Sequence, residues 1–193
     1  VPLSLFNLKQ KDKFGVLEVG MDKKGEIDNL TKIIKPDIGI ITNISYAHAK
    51  NFKSINKIAE AKAEIMNNIK KGGAIVLNMD DHFYDFHKNI AFKKKLRTIT
   101  FGIYNKSSMI KLYKISKLKN KYELFIRIQG LIFSFYSSNV NKSHLYNILA
   151  TIASLSSLIN LKNLKKNIFL NFKIPDGRGD HSTIKINNKK INL

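Results

Sequence analysis

Lys62 stands where helical spacing asks for an apolar residue. In SINKIAEAKAEIMNNI, Ile55, Ile58, Ile65 and Ile69 step by three and four, as one buried helix face requires, and Lys62 fills the slot between Ile58 and Ile65. An ammonium there must be paired, neutralised, modified or snorkelled out at the edge, because desolvating a bare charge is costly. Glu18, inside the apolar run VLEVG, is anomalous in the same way. It needs a cation, a metal, an ion-pair partner or a shifted pKa. His48, a few residues beyond the run DIGIITN, and Asn78, Asp80 and Asp81 in NMDD supply further polar groups. Taken singly, His48 could be a surface residue and Asp80 a helix cap. Together, Glu and His suit a hard divalent ion bound beside phosphates. An ammonium does not; a lysine joins such a set only if converted, for example by CO₂, to a carbamate whose oxygens can ligate metal.

These residues share a site only if the surrounding elements bring them to one edge. FGVLEVG (14–20), DIGIITN (37–43), GAIVLN (73–78) and RTITFG (97–102) are short apolar runs with a buried-strand pattern. Between them, 25–35 has helical spacing stopped by Pro36, 54–69 is the Lys62 helix with Ser54 as N-cap, and 81–88 is a short helix. Alternating strands and helices with short connections predict a mostly parallel sheet with right-handed crossovers. In such sheets ligands bind beyond the carboxyl ends of the strands, which is where Glu18, His48 and the NMDD acids fall. After Gly102 the segments MIKLYKISKL, YELFIRIQ and LIFSFYSS alternate with period two and predict antiparallel strands with one wet face. Helices over 143–159 and 161–172 follow, then the breaker cluster PDGRG and the strand-like STIKINNKKINL. The expected fold class is therefore α/β, a mostly parallel sheet flanked by helices with an antiparallel β subregion.

Composition narrows the classes. Cysteine is absent, which excludes disulfides, thiolate zinc sites and cysteine nucleophiles. No signal peptide or membrane span is evident, and a cytoplasmic location is expected. The 34 Lys+Arg against 14 Asp+Glu give +20, which by itself suggests a nucleic-acid partner. The basic residues are nearly all lysine and spread along the chain, however, whereas nucleic-acid binders concentrate arginine and aromatics on one surface. A solvated lysine-rich surface is the better account, and no nucleic-acid partner is expected.

The blocks VPLSL, VLEVGMDKKGEI, PDIGIITNISYAH, NKIAEAKAEI and GAIVLNMDD, in this order and spacing, resemble the central domain of the Mur ligases. The block after Glu18 is most similar to the branch that joins D-alanyl-D-alanine to a UDP-N-acetylmuramoyl tripeptide. The resemblance implies an ATP-dependent amide ligase that works through an acyl phosphate, with Mg²⁺ and ATP as cofactors and those two molecules as substrates. It further implies Glu18 and His48 as metal ligands and Lys62 as a carbamylated metal-holding lysine. Asn147 in SHLYN resembles the last Asn of the family's H-N-x-x-N helix start, which approaches the nucleotide. Ser143 and His144 depart from that pattern. Arg178 in GRG resembles the Gly-Arg that reaches the ATP side at the junction with a further domain.

The family's P-loop has no match and is expected before Val1. Residues 1–174 are expected to be an incomplete central domain and 175–193 the beginning of a C-terminal one, a monomer inactive as a separate piece. The alternatives are another Mur-type ligase, a folylpolyglutamate-synthase-like ligase, a non-catalytic scaffold derived from one, or a basic nucleic-acid-binding domain.

Overall fold

The structure, a computed structural model, describes residues 2–46, 52–172, 183–186 and 189–192, with side chains over 4–46 and 52–172. Its elements run α1 (Pro2–Phe6), α2 (Glu26–Ile34), β1 (Ile38–Ile41), α3 (Ile55–Ala63), β2 (Ala74–Asn78), α4 (Tyr84–Lys93) and β3 (Arg97–Gly102). Then come β4 (Ile110–Lys117), β5 (Tyr122–Ile128), β6 (Leu131–Ser137), α5 (Lys142–Leu155), β7 (Thr183–Ile186) and β8 (Lys189–Asn192). The main sheet has the order β1-β2-β3-β4-β5-β6. Its β1 to β4 pairings are parallel, and β5 and β6 are added antiparallel. This is the α/β sheet with an antiparallel extension that the sequence predicts. Strands β7 and β8 form a separate antiparallel pair, in line with the strand-like STIKINNKKINL.

β2 shows why the apolar runs form central strands. All its residues are buried. Ala74 and Val76 face α5 through Ile148, Leu149 and Ile152, while Ile75 and Leu77 face the opposite layer with Ala63, Met66 and Ala91. A continuous apolar strand suits a sheet covered on both faces. The β5–β6 hairpin turns at Gln129 (φ 48°) and Gly130 (φ 88°), a two-residue loop that needs left-handed backbone and supplies glycine for it.

Several expectations are corrected. Residues 14–20 are not a strand. They run irregularly over the surface, Val16 being 92% exposed, and no described strand pairs with the outer edge of β1. Val19 and Met21 anchor the segment by packing with Ile27, Ile58 and Ala61 rather than by a backbone ladder.

The expected helix over 161–172 is only a 3-10 turn, Leu161–Asn163. Leu164 turns extended (ψ 129°), and the carbonyl of Lys166 accepts the Tyr136 N–H at 2.6 Å. An open sheet edge thus captures backbone that helical spacing alone would have coiled. The Lys62 helix also ends earlier, at Ala63, and tightens into a 3-10 turn over Glu64–Asn67. Conversely, α4 begins later and runs further than 81–88, because Asp81 is committed to the turn before it.

Candidate functional site

At and beyond the carboxyl ends of β1 and β2 stand Asn43, Asn78, Asp80 and Asp81, with Lys62 of α3 beside them. α3 approaches them because Ile58, Ala59 and Ala61 are buried. Ser54 caps its start by accepting the Lys57 N–H at 3.4 Å. Lys62 lies half-buried on the flank of this face, and its Nζ donates to the Asn43 carbonyl at 3.1 Å. Burial lowers the Lys62 pKa, and the nearby Asp81 carboxylate works against that shift. The amine is thus only partly satisfied by its surroundings, as the anomalous helix position implies.

The acids of NMDD do more than start a helix. Asp81 accepts the Ile44 N–H and the Phe83 N–H, both at 2.8 Å, so it closes the turn into α4 while gripping the loop after β1. That same loop presents the Asn43 carbonyl to Lys62. Asp80 reaches the other way. It accepts the backbone N–H groups of Ile103 (2.5 Å), Tyr104 (3.0 Å) and Asn105 (2.7 Å), and the Tyr146 hydroxyl at 3.1 Å. Burial and the Asp80 carboxylate push the Tyr146 pKa up, so its hydroxyl remains a donor.

Asn147, the next residue on α5, is exposed at the same end of the sheet, and Lys142 lies 5.2 Å over the Tyr104 ring. His87 is buried, with Nε2 donating to the Ala59 carbonyl at 3.1 Å, and burial lowers its pKa. His144, which departs from the family pattern, is also buried and shares a 3.1 Å hydrogen bond with Ser137, so it packs inward.

The structure brings Lys62, Asn43 and Asp81 together, with Asp80, Tyr146 and Asn147 adjoining through the β2 terminus. Glu18 is exposed, so the expectation of a desolvated carboxylate is corrected: an irregular surface segment leaves it in contact with water. Its neighbour Val19 packs into the cluster that contains Ala61, which places the segment against α3. His48 and Arg178 lie outside the described residues. Sequence reasoning missed Tyr146, His87 and Glu64. Glu64 accepts the Gly25 N–H at 2.8 Å and the Asp28 N–H at 3.2 Å, a carboxylate from a distant element seated at the start of α2. Tyr146 is half-buried beside the core-facing Leu145 of α5, and that position next to the apolar face is the one signal that could have pointed to it.

Among the described residues no group of three or more His, Cys, Asp or Glu side chains could hold a metal ion, and no helix is long and apolar enough to cross a membrane. An oxygen donor of the kind magnesium takes is present in Glu18. The Glu18 carboxylate is accessible, and Lys62 presents a half-buried amine whose pKa burial lowers.

The fold is a mostly parallel sheet with polar groups at its carboxyl rim, and the chain belongs to the Mur ligase family, matching the Mur ligase middle domain over residues 1–155. Members of that family are ATP-dependent ligases. Over 84 residues the chain is 42% identical to the UDP-N-acetylmuramoyl-tripeptide–D-alanyl-D-alanine ligase of Buchnera aphidicola subsp. Acyrthosiphon pisum (strain APS), covering 44% of this chain and 18% of that protein. It is similar in fold to MurF from Acinetobacter baumannii, with a TM-score of 0.81 and 22% identity over 99% of this chain and 41% of that one. It also resembles MurF ligase from Thermotoga maritima, solved in complex with ADP, with a TM-score of 0.68 and 25% identity over 81% of this chain and 36% of that one. The chain thus spans less than half the length of these proteins.

Proposed function

We propose that this chain is the central ATP-binding part of a cytoplasmic ligase that joins D-alanyl-D-alanine to a UDP-N-acetylmuramoyl tripeptide. The observation that carries this reading is Lys62: a half-buried amine at the carboxyl rim of a Mur ligase middle-domain sheet, lowered in pKa and held on the Asn43 carbonyl. The name of the Buchnera relative supports the substrate pair, and the ADP bound by the Thermotoga MurF supports the nucleotide.

In this reading Glu18, His48 and carbamylated Lys62 hold Mg²⁺, and Asn147 and Arg178 approach the nucleotide. Magnesium, when bound, neutralises phosphate oxygens. Lys62 reaches its carbamate through its neutral amine, whose nitrogen forms the bond to CO₂ and loses a proton. Asp81 orients the loop that faces it through the Ile44 N–H. Residues 1–174 form the central domain and 175–193 the start of the next, and the protein acts as a monomer.

The test uses the full-length gene product with ATP, Mg²⁺, the UDP-N-acetylmuramoyl tripeptide and D-alanyl-D-alanine. ADP release that requires both other substrates, with formation of the pentapeptide product, is the expected result. ADP release with a free amino acid instead of the dipeptide would reassign the chain to another Mur-type ligase.

A further inference from the structure

The end of β2 carries consecutive carboxylates that pull in opposite directions. Asp81 holds the loop after β1, whose Asn43 carbonyl receives Lys62. Asp80 holds the loop between β3 and β4 by its Ile103, Tyr104 and Asn105 N–H groups, and also the Tyr146 hydroxyl at the start of α5. The residue after Tyr146 is Asn147.

We propose that Asp80 and Tyr146 are positioning residues that set where Asn147 stands relative to the Lys62 rim. This rests on the nucleotide role proposed for Asn147. An acid satisfied by a neighbouring loop is usually only a turn stabiliser, and the three backbone bonds to 103–105 fit that description. The Tyr146 bond does not, since it crosses to an element 66 residues away and needs no turn.

The seat for Asp80 is narrow. A Cβ on Gly102 would lie 3.1 Å from both Asp80 carboxylate oxygens and 2.6 Å from Ser108 Oγ, so glycine leaves room for the carboxylate. Asn78 fixes the approach by accepting the Asp80 N–H at 3.0 Å. Because Asp80 and Asp81 adjoin in the turn that follows β2, the two sides of the site are tied to one short stretch of backbone. Small displacements of a positioning group can cost large factors in rate.

The experiment measures ADP affinity by calorimetry and steady-state constants on the full-length protein, with Tyr146→Phe as the main variant. Tyr146→Phe removes one hydroxyl and retains the ring, so it should unfold at a temperature close to wild type. Loss of one such bond predicts a rise of about 3- to 10-fold in the ADP Kd and the KM for ATP, with the KM for D-alanyl-D-alanine unchanged. Asp80→Asn should move the same constants further and speed hydrogen exchange at the Tyr104 and Asn105 amides. Tyr113→Phe, an exposed phenol on β4, is the control and should change nothing.

Nucleotide constants within twofold of wild type in Tyr146→Phe would overturn the proposal. So would an equal rise for every substrate together with a lowered melting temperature, the pattern of a merely structural contact. A wild type that binds ADP without ligating these substrates would sink the substrate assignment and leave the positioning test readable. A wild type that binds no ADP would sink both.

Discussion

Lys62 and His87 show how single ionisable groups link burial to pH. For Lys62 the folded pKa lies below the unfolded one, so between the two values the unfolded chain holds more protons. Its burial therefore costs stability at neutral and acid pH, and the cost is relieved as pH rises from the folded pKa toward the ordinary lysine range. Lys62→Met should raise the melting temperature at pH 7, with the gain over wild type shrinking by pH 10. Under the proposed function, Lys62→Ala in the full-length protein should lower ligation on the order of 10²-fold or more, as loss of a group that organises developing charge does. Added bicarbonate should not restore it. Activity near wild type would refute the metal-holding role.

His87 is lowered in pKa chiefly by burial, with the Ala59 carbonyl opposing. The neutral ring is the native form, so its contribution is present above the unfolded value of about 6.5 and is lost as pH falls below it. His87→Gln should flatten the fall in melting temperature between pH 7 and pH 5. A variant whose acid limb parallels wild type would show that other groups dominate.

At the level of elements, local signals and tertiary contacts divide the work visibly. Ser54 and Pro36 bound their helices as their types predict, and RTITFG is a strand over the same residues that the apolar run marks. The two misplaced elements both belong to the edges of the sheet. Residues 14–20 have strand composition but are not paired with β1 in the described sheet, and 161–172 has helical spacing but loses backbone to β6 at Lys166. Pairing of backbone groups between distant segments is not written in the periodicity of either one.

The α2 start makes the same point. Gly25 caps it without a side chain, and Glu64 supplies the carboxylate from another element. Glu64→Ala should cost about 1–3 kcal/mol by leaving those N–H groups unpaired, measured by urea unfolding. At Gly73 a Cβ would meet Ile69 Cγ2 at 2.5 Å and the Asp37 carbonyl at 2.6 Å. Gly73→Ala should therefore destabilise by about 1–3 kcal/mol, since backbone must shift where β1 and β2 begin. A loss under half of that would show that the strand starts can yield.

For the molecule as a whole, the charge of +20 is spread over exposed lysines on helices, turns and strands. Such a surface attracts polyanions weakly and without sequence preference. Filter binding to single-stranded oligonucleotides at physiological salt should give a Kd of about 10⁻⁵ M or weaker. Tight binding with a steep salt slope would favour a nucleic-acid role instead.

From residue types and order alone came the family resemblance, the alternation of strands and helices, and the suspicion that Lys62 and the NMDD acids carry more than packing. Those features are local, since propensity and period act over a few residues. Folding in three dimensions decided that Lys62 lies half-buried against Asn43, that Glu18 faces water, and that Asp80 and Asp81 reach opposite neighbours. Each of those outcomes depends on which distant backbone groups meet at the end of β2, a matter of closure and pairing that no single segment encodes.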